Sequence, residues 1–289
     1  MQRYTEPEEK GESLLYSPEE IAKRYSLVGA SKTSQGLGRM FVLAIFAGAF
    51  IALGAFGSQV VSVGASVASV GRLLSALVFP VGLLMVLVAG AELFTGNSLI
   101  IVSVLDGKTS VIKMLRNWGV VYAGNFAGSV LVALLLVYSH SYSLFDEGLA
   151  KTAVNTAVSK IGLSFGDAFF RGVLCNILVC IAVWISFSAK ELAGKILGLF
   201  LPIMLFVVSG YEHCVANMYF LPAGLLVTRE YGLQEGASIT WNSIFVCNLL
   251  PVTIGNIIGG ACLVGCGYYY TYLKEAKTDG RESQHHGGL

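Results

Sequence analysis

Two runs of this chain are too long and too apolar for water, and each carries one acidic residue near its middle. From Leu73 to Leu105 the only charged residue is Glu92. From Ile196 to Thr228 the only charged residue or histidine is the adjacent pair Glu212 and His213. A carboxylate at bilayer depth costs roughly 2.5–3.5 kcal/mol on insertion scales, so such residues mark a site rather than decorate a span. The two acids share a setting. Gly90-Ala91-Glu92 through Gly96-Asn97 and Gly210-Tyr211-Glu212 through Asn217 both read G-x-E-x-x-x-x-N, 120 positions apart.

A second pair of motifs follows the first. Asn117, Gly124, Asn125 and Gly128 have the same mutual spacing as Asn248, Gly255, Asn256 and Gly259. A GxxxG pair alone signals close helix packing, but a buried amide at a fixed offset also needs a partner. Six apolar stretches can be counted, near 40–62, 73–104, 117–139, 166–189, 196–228 and 242–272. The motifs equate the second with the fifth and the third with the sixth. Three spans per half is odd, so the halves insert with opposite orientation, as in an inverted repeat. The expected fold is an all-α membrane protein with six transmembrane helices in an inverted 3+3 repeat. A spanning helix needs roughly 20 residues, whereas the second and fifth stretches exceed 30. Their excess length and central polar residues predict that helices 2 and 5 are broken, at Gly96-Asn97 and at Gly210. A long, tilted, kinked helix is the simpler alternative.

Composition bounds the function. The chain is 55% hydrophobic and 13% charged, with net charge +1, which leaves no basic field for nucleic acid. Lys and Arg concentrate on the side of the N-terminus and tail, predicting cytoplasmic termini and residence in a cell (inner or plasma) membrane. Residues 1–35 read as a cytoplasmic segment holding a short interfacial helix, capped by Ser17 and started by Pro18, with Ile21, Tyr25 and Val28 on one face. Residues 36–274 form the membrane domain, and 275–289 a disordered tail in which His285 and His286 are solvated. The six cysteines lie in apolar stretches without zinc-type spacing, so they are expected as buried free thiols, and no metal or cofactor is expected.

Among single residues, His213 is the one histidine in the apolar core. It titrates near neutrality and can donate from either nitrogen, which suits a small anion at the centre of a membrane protein. Glu92 and Glu212 would repel an anion, and are expected instead to accept hydrogen bonds from backbone amides freed at the breaks; a proton relay is the other reading. Lys160, in the loop before the fourth stretch, attracts anions if that loop folds into a vestibule. Asp167 and Arg171, four apart, are expected to pair. Asp106-Gly107-Lys108-Thr109-Ser110 lacks the upstream glycine of a phosphate loop and reads as a turn.

These motifs resemble the formate/nitrite transporter family. Leu87 through Gly96, Gly172 through Ala182, Ser209 through Met218 and Asn248 through Gly260 match it in order, over roughly residues 35–275. The resemblance implies an aquaporin-like fold, a homopentamer with one pore per protomer, and passage of small monovalent anions such as formate or nitrite, or of their acids with protons. It implies that Leu93 and Phe206 are apolar constrictions and that Thr95, His213 and Asn256 are the polar groups between them. Lys160 would be the vestibule cation and Asn176 a further amide beside the pore. The loop at Gly162 and Leu163 lacks the histidines of some formate channels. A neutral-solute channel remains an alternative, although Asn97 and Asn217 are followed by Ser98 and Met218 rather than by Pro-Ala. An intramembrane hydrolase using Ser209 and His213 is the rival from another class.

Overall fold

The computed structural model describes residues 15–274, so the tail and its histidines fall outside it. Ser17 opens the first helix, α1 (Pro18–Ser34), with a capping box in which its hydroxyl accepts from the Glu20 amide and the Glu20 carboxylate accepts from its own. That bond to the backbone holds the Glu20 carboxyl below its ordinary range. There follow α2 (Leu37–Val60), α3 (Ala68–Val78), α4 (Pro80–Ala89) and a short α5 (Ile100–Leu105). The remainder are α6 (Val111–Tyr138), α7 (Gly148–Ile161), α8 (Phe165–Ser188), α9 (Leu192–Val208) and α10 (Cys214–Glu230). The last long helix, α11 (Ser243–Lys274), alternates α and π turns. Among the described residues there is no strand beyond one isolated bridge between Leu15 and Ala189.

Among the described residues, five helical segments are long and apolar enough to cross a bilayer. The fifth stretch is not among them because it is divided: α9 ends at Val208, Gly210 turns at φ +71°, and α10 starts at Cys214. The second stretch is interrupted likewise, with Gly90 at φ +82° and the helix resuming as a 3-10 turn from Gly96. A side chain at either glycine would strain a left-handed backbone. Helix α6 begins before the predicted span because Lys113 and Arg116 lie in its first turns, capped by Ser110.

The GNxxG motifs set the tightest contacts. A Cβ on Gly128 would collide with the Ile45 carbonyl of α2, and one on Gly259 with the Val173 carbonyl of α8. Helix pairs α2–α6 and α8–α11 therefore pack backbone to backbone, which is how helices associate where lipid offers no hydrophobic gain. The outer surface stays greasy, with Phe170, Leu197 and Leu201 more than 60% exposed. Cys175, Cys180 and Cys214 are buried, but Cys247 and Cys262 are exposed. The expectation of six buried thiols is corrected because the last helix turns those two positions outward.

Two further expectations change. Lys160 lies in the last turn of helix α7, not in a loop, since Gly148–Ile161 is an uninterrupted amphipathic run. Asp167 accepts from the Ser164 hydroxyl as part of the α8 cap, while Arg171 turns to a cavity. Helix α1 buries Ile21 and Tyr25 against protein, among Val102, Val183 and Trp184. The segment Asp106–Ser110 is the turn expected, with Gly107 at φ +76° and Asp106 accepting from Ser26.

Close packing at Gly259 is directly testable. Gly259→Leu should lower stability by about 1–3 kcal/mol or more through overpacking, read as a fall in thermal midpoint in detergent. Gly119→Ala, with no atom near its Cβ position, should stay within about 0.5 kcal/mol.

Candidate functional site

When a helix stops among apolar side chains, its freed backbone groups must find partners. Here two asparagines supply them. Asn125 Oδ1 accepts from the Phe94 amide at 2.9 Å, and its Nδ2 donates to the carbonyls of Ala44 and Glu92. Asn256 does the same in the other half: Oδ1 accepts from the Cys214 amide at 2.9 Å, and Nδ2 donates to Gly172 and Glu212. All three hydrogen bonds of each carboxamide go to backbone.

The expected partners of the two glutamates are corrected accordingly. Asn125, Asn256 and nearby backbone carbonyls meet the break amides, and the carboxylates bond side chains. Glu92 accepts from Asn97 Nδ2 at 2.7 Å and pairs with Lys32 at 3.0 Å. Glu212 accepts from Asn217 Nδ2 at 2.6 Å and pairs with Lys160 at 2.8 Å. Asn97 and Asn217 also donate to Asn117 and Asn248 respectively. Both carboxylates are some 5% exposed and thus largely neutralised in place.

Lys32 is the residue that the sequence reading did not single out. Lys32 stands five positions before α2 as Lys160 stands five before α8, a match that appears only once the helix starts are placed. Gln35 adds a further hydrogen bond to Glu92, with no counterpart at Leu163.

His213 sits at the centre. It is the N-cap of α10, its Nδ1 accepting from the Ala216 amide at 3.1 Å. A nitrogen that accepts carries no proton, so the hydrogen is on Nε2. Nε2 lies 2.8 Å from Thr95 Oγ1, which therefore accepts and keeps its own hydroxyl hydrogen free to donate. Both nitrogens are engaged, so Ser209 has no histidine to activate it.

Two cavities approach this pair from opposite ends. The larger, about 550 Å³, is lined by Arg72, Lys160, Arg171, Phe206 and His213. The smaller, about 310 Å³, is lined by Lys32, Glu92, Leu93 and Gly96. Phe206 and Leu93 thus belong to different cavities, and His213 lies beside Phe206, ring centroids 5.9 Å apart, at the floor of the larger one. Leu93 and His213 occupy matching positions, each directly after its glutamate. Asn176 is fully buried, donating to Thr95 O, Ser98 Oγ and Asn256 O. The structure brings Leu93, Thr95, Asn176, Phe206, His213 and Asn256 into one neighbourhood and places Lys160 at its rim.

A family model described as formate/nitrite transporter matches residues 19–270. The formate channel FocA of Haemophilus influenzae is 41% identical over 78% of this chain and 84% of its own. The formate channel FocA of Escherichia coli K12 is 34% identical over 90% of this chain and 96% of its own. A solved structure described as a pentameric formate channel with formate bound superposes with TM-score 0.73, at 36% identity over 82% of this chain and 98% of the other. An FNT family ion channel superposes with TM-score 0.78 at 29% identity, over 87% and 98%.

The asparagine braces generate a stability prediction. Asn256→Ala would orphan the Cys214 amide and two carbonyls, and should destabilise by at least about 1–3 kcal/mol, seen as a lower unfolding midpoint in detergent. An unchanged midpoint would mean that the carboxamide carries no such load.

Proposed function

The chain belongs to the formate/nitrite transporter family, and from that premise we propose that it conducts formate, nitrite or a similar small weak-acid anion through a pore within each protomer of a homopentamer. Family membership makes it a membrane channel or transporter for small anions and not an enzyme. The observation that carries the finer reading is the Thr95–His213 hydrogen bond, which lies between a cavity bearing Arg72, Lys160 and Arg171 beside Phe206 and one bearing the Lys32–Glu92 pair beside Leu93.

The matched hydrogen bonds support an inverted repeat. Leu37–Val60 and Phe165–Ser188 have the same length, and Lys32, Ala44 and Glu92 find their counterparts in Lys160, Gly172 and Glu212. On this reading the two interruptions are the broken helices 2 and 5, meeting near the bilayer midplane. The termini and the smaller cavity face the cytoplasm, as the Lys and Arg asymmetry requires.

The mechanism follows from desolvation. Lys160 and Lys32, held by buried carboxylates at either mouth, draw an anion in without forming a strong trap. A bare anion crossing the apolar stretch between Phe206 and Leu93 loses its hydration at a cost of many kcal/mol. Uptake of a proton from hydronium on the entry side, which leaves water behind, removes most of that cost. His213 in the tautomer described donates through Nε2 and, by way of the Thr95 hydroxyl, offers a hydrogen to the passing oxygen. Asn256 acts as the brace that holds this turn rather than as a direct donor. Accessible charge at both mouths and a dry centre favour a weak acid over water or glycerol.

The test is formate uptake into proteoliposomes against empty vesicles. Uptake should rise as pH falls on the entry side, since the protonated fraction rises. His213→Phe should lose at least tenfold of the protein-dependent flux, because Thr95 loses its partner. A His213→Phe protein with full pH-dependent flux overturns the histidine's role, and light-scattering swelling by glycerol would favour the neutral-solute reading.

A further inference from the structure

Gln59, in the last turn of α2, is 5% exposed, and neither Nε2 nor Oε1 of its side chain has a hydrogen-bond partner. Its backbone is occupied, the carbonyl accepting from the amide and hydroxyl of Ser62 at 3.1 and 2.9 Å. The side chain lines the larger cavity. A buried carboxamide with both ends unmet normally costs stability, so its place in a cavity wall points to a ligand.

Arg72 lines the same cavity from α3. The two helices are tied there: Ser75, one turn after Arg72, donates its hydroxyl to the carbonyl of Ser58, next to Gln59, at 2.8 Å. The Arg72 guanidinium rests against Gly210, where a Cβ would collide with Nη1. The matching Gly90 has no atom within 4 Å of its Cβ position. The asymmetry continues around the rim. Gln59 lies 15 positions after Ala44, and the residue 15 after Gly172 is Phe187, which lines the smaller cavity against Tyr25. Arg72 lies 20 positions before Glu92, and the residue 20 before Glu212 is Leu192. Polar groups occupy one mouth where apolar ones occupy the other, so the repeat does not require them.

We propose that Gln59 and Arg72 form an entrance subsite in the larger cavity for a small monocarboxylic acid and its anion. This rests on the transport reading above. A carboxamide edge presents one donor beside one acceptor. A protonated carboxyl presents the complement, so the two close a cyclic pair of hydrogen bonds. Chloride would leave the Gln59 carbonyl unmet, which selects against it. The Arg72 guanidinium matches the anion form, with two parallel donors for two carboxylate oxygens. Anion and acid interconvert here by exchange with solvent: the carboxylate takes a proton from hydronium, an O–H bond forms, and water is left. Arg72, Lys160, Arg171, Tyr211, Glu212 and His213 share this cavity with Gln59 and set the field it sees.

Formate uptake by proteoliposomes, fitted for KM and maximal flux, tests the subsite. Gln59→Leu should raise KM about tenfold with maximal flux little changed, the loss of two neutral hydrogen bonds. Gln59→Glu should depress uptake at neutral pH and recover in acid, where the new carboxyl is protonated and regains a donor beside an acceptor. Arg72→Gln should raise KM severalfold at low ionic strength, the difference closing as salt screens it. Being exposed, Arg72 decides the matter even where Gln59→Leu fails to assemble. KM within twofold of wild type in these variants, or a fall in maximal flux at unchanged KM, overturns the subsite. Wild-type vesicles that carry no formate overturn the transport reading itself, a result separate from variants that match an active wild type.

Discussion

The constraint on which this molecule depends is the fate of backbone amides at a helix end that no water can reach. A spanning helix satisfies its own amides and carbonyls, but a helix that stops partway releases several of each. Asn125 and Asn256 each take up one such amide and one such carbonyl, joining the turn to a carbonyl of a neighbouring helix, while the amides of Glu92 and Glu212 bond the carbonyls of Leu43 and Arg171. Glycine at Gly128 and Gly259 is the corollary, since the asparagine reaches its carbonyl only where helix backbones nearly touch. The motif is thus one device in which the amide closes the break and the glycines set its distance.

Once the turns are closed, the glutamates are free for electrostatics. Each of Glu92 and Glu212 uses one oxygen to orient an asparagine and the other to hold a lysine. A lysine alone at a cavity rim would bind an anion too well to release it, whereas a lysine already paired attracts without trapping. A buried pair need not add stability to be retained. Here the pair fixes a positive charge on a flexible stem beside a buried carboxylate.

How far the residues alone foretold this is uneven, for physical reasons. The apolar stretches, the two interruptions and the polar cluster around His213 were legible because charge and amide are costly in lipid and therefore sparse. The partners of those groups were not legible. Glu92 lies 60 positions from Lys32, and nothing local says that a lysine ahead of the first span folds back onto it. The helix that carries Lys160 is amphipathic and half polar, unlike the spans around it, so its sequence resembles a loop. Asp167 and Arg171 satisfied an i, i+4 rule, yet a serine at the N-cap took the aspartate first. Nothing in the local sequence sets Gln59 or Arg72 apart, and their shared place in the wall of one cavity is visible only in the folded chain.

The departures from symmetry carry the most functional content. Where the two halves agree, as at Asn125 and Asn256, geometry alone accounts for the agreement. Where they differ, something other than folding has chosen the residue. Leu93 and His213 hold equivalent positions after their glutamates, but a leucine has no atom that could accept from the Ala216 amide. The histidine is instead both helix cap and donor to Thr95. Capping fixes its tautomer, and the fixed tautomer leaves the threonine hydroxyl as the group with a hydrogen to give. Protonating Nδ1 would break the cap, so an imidazole that caps this helix carries its hydrogen on Nε2, towards Thr95.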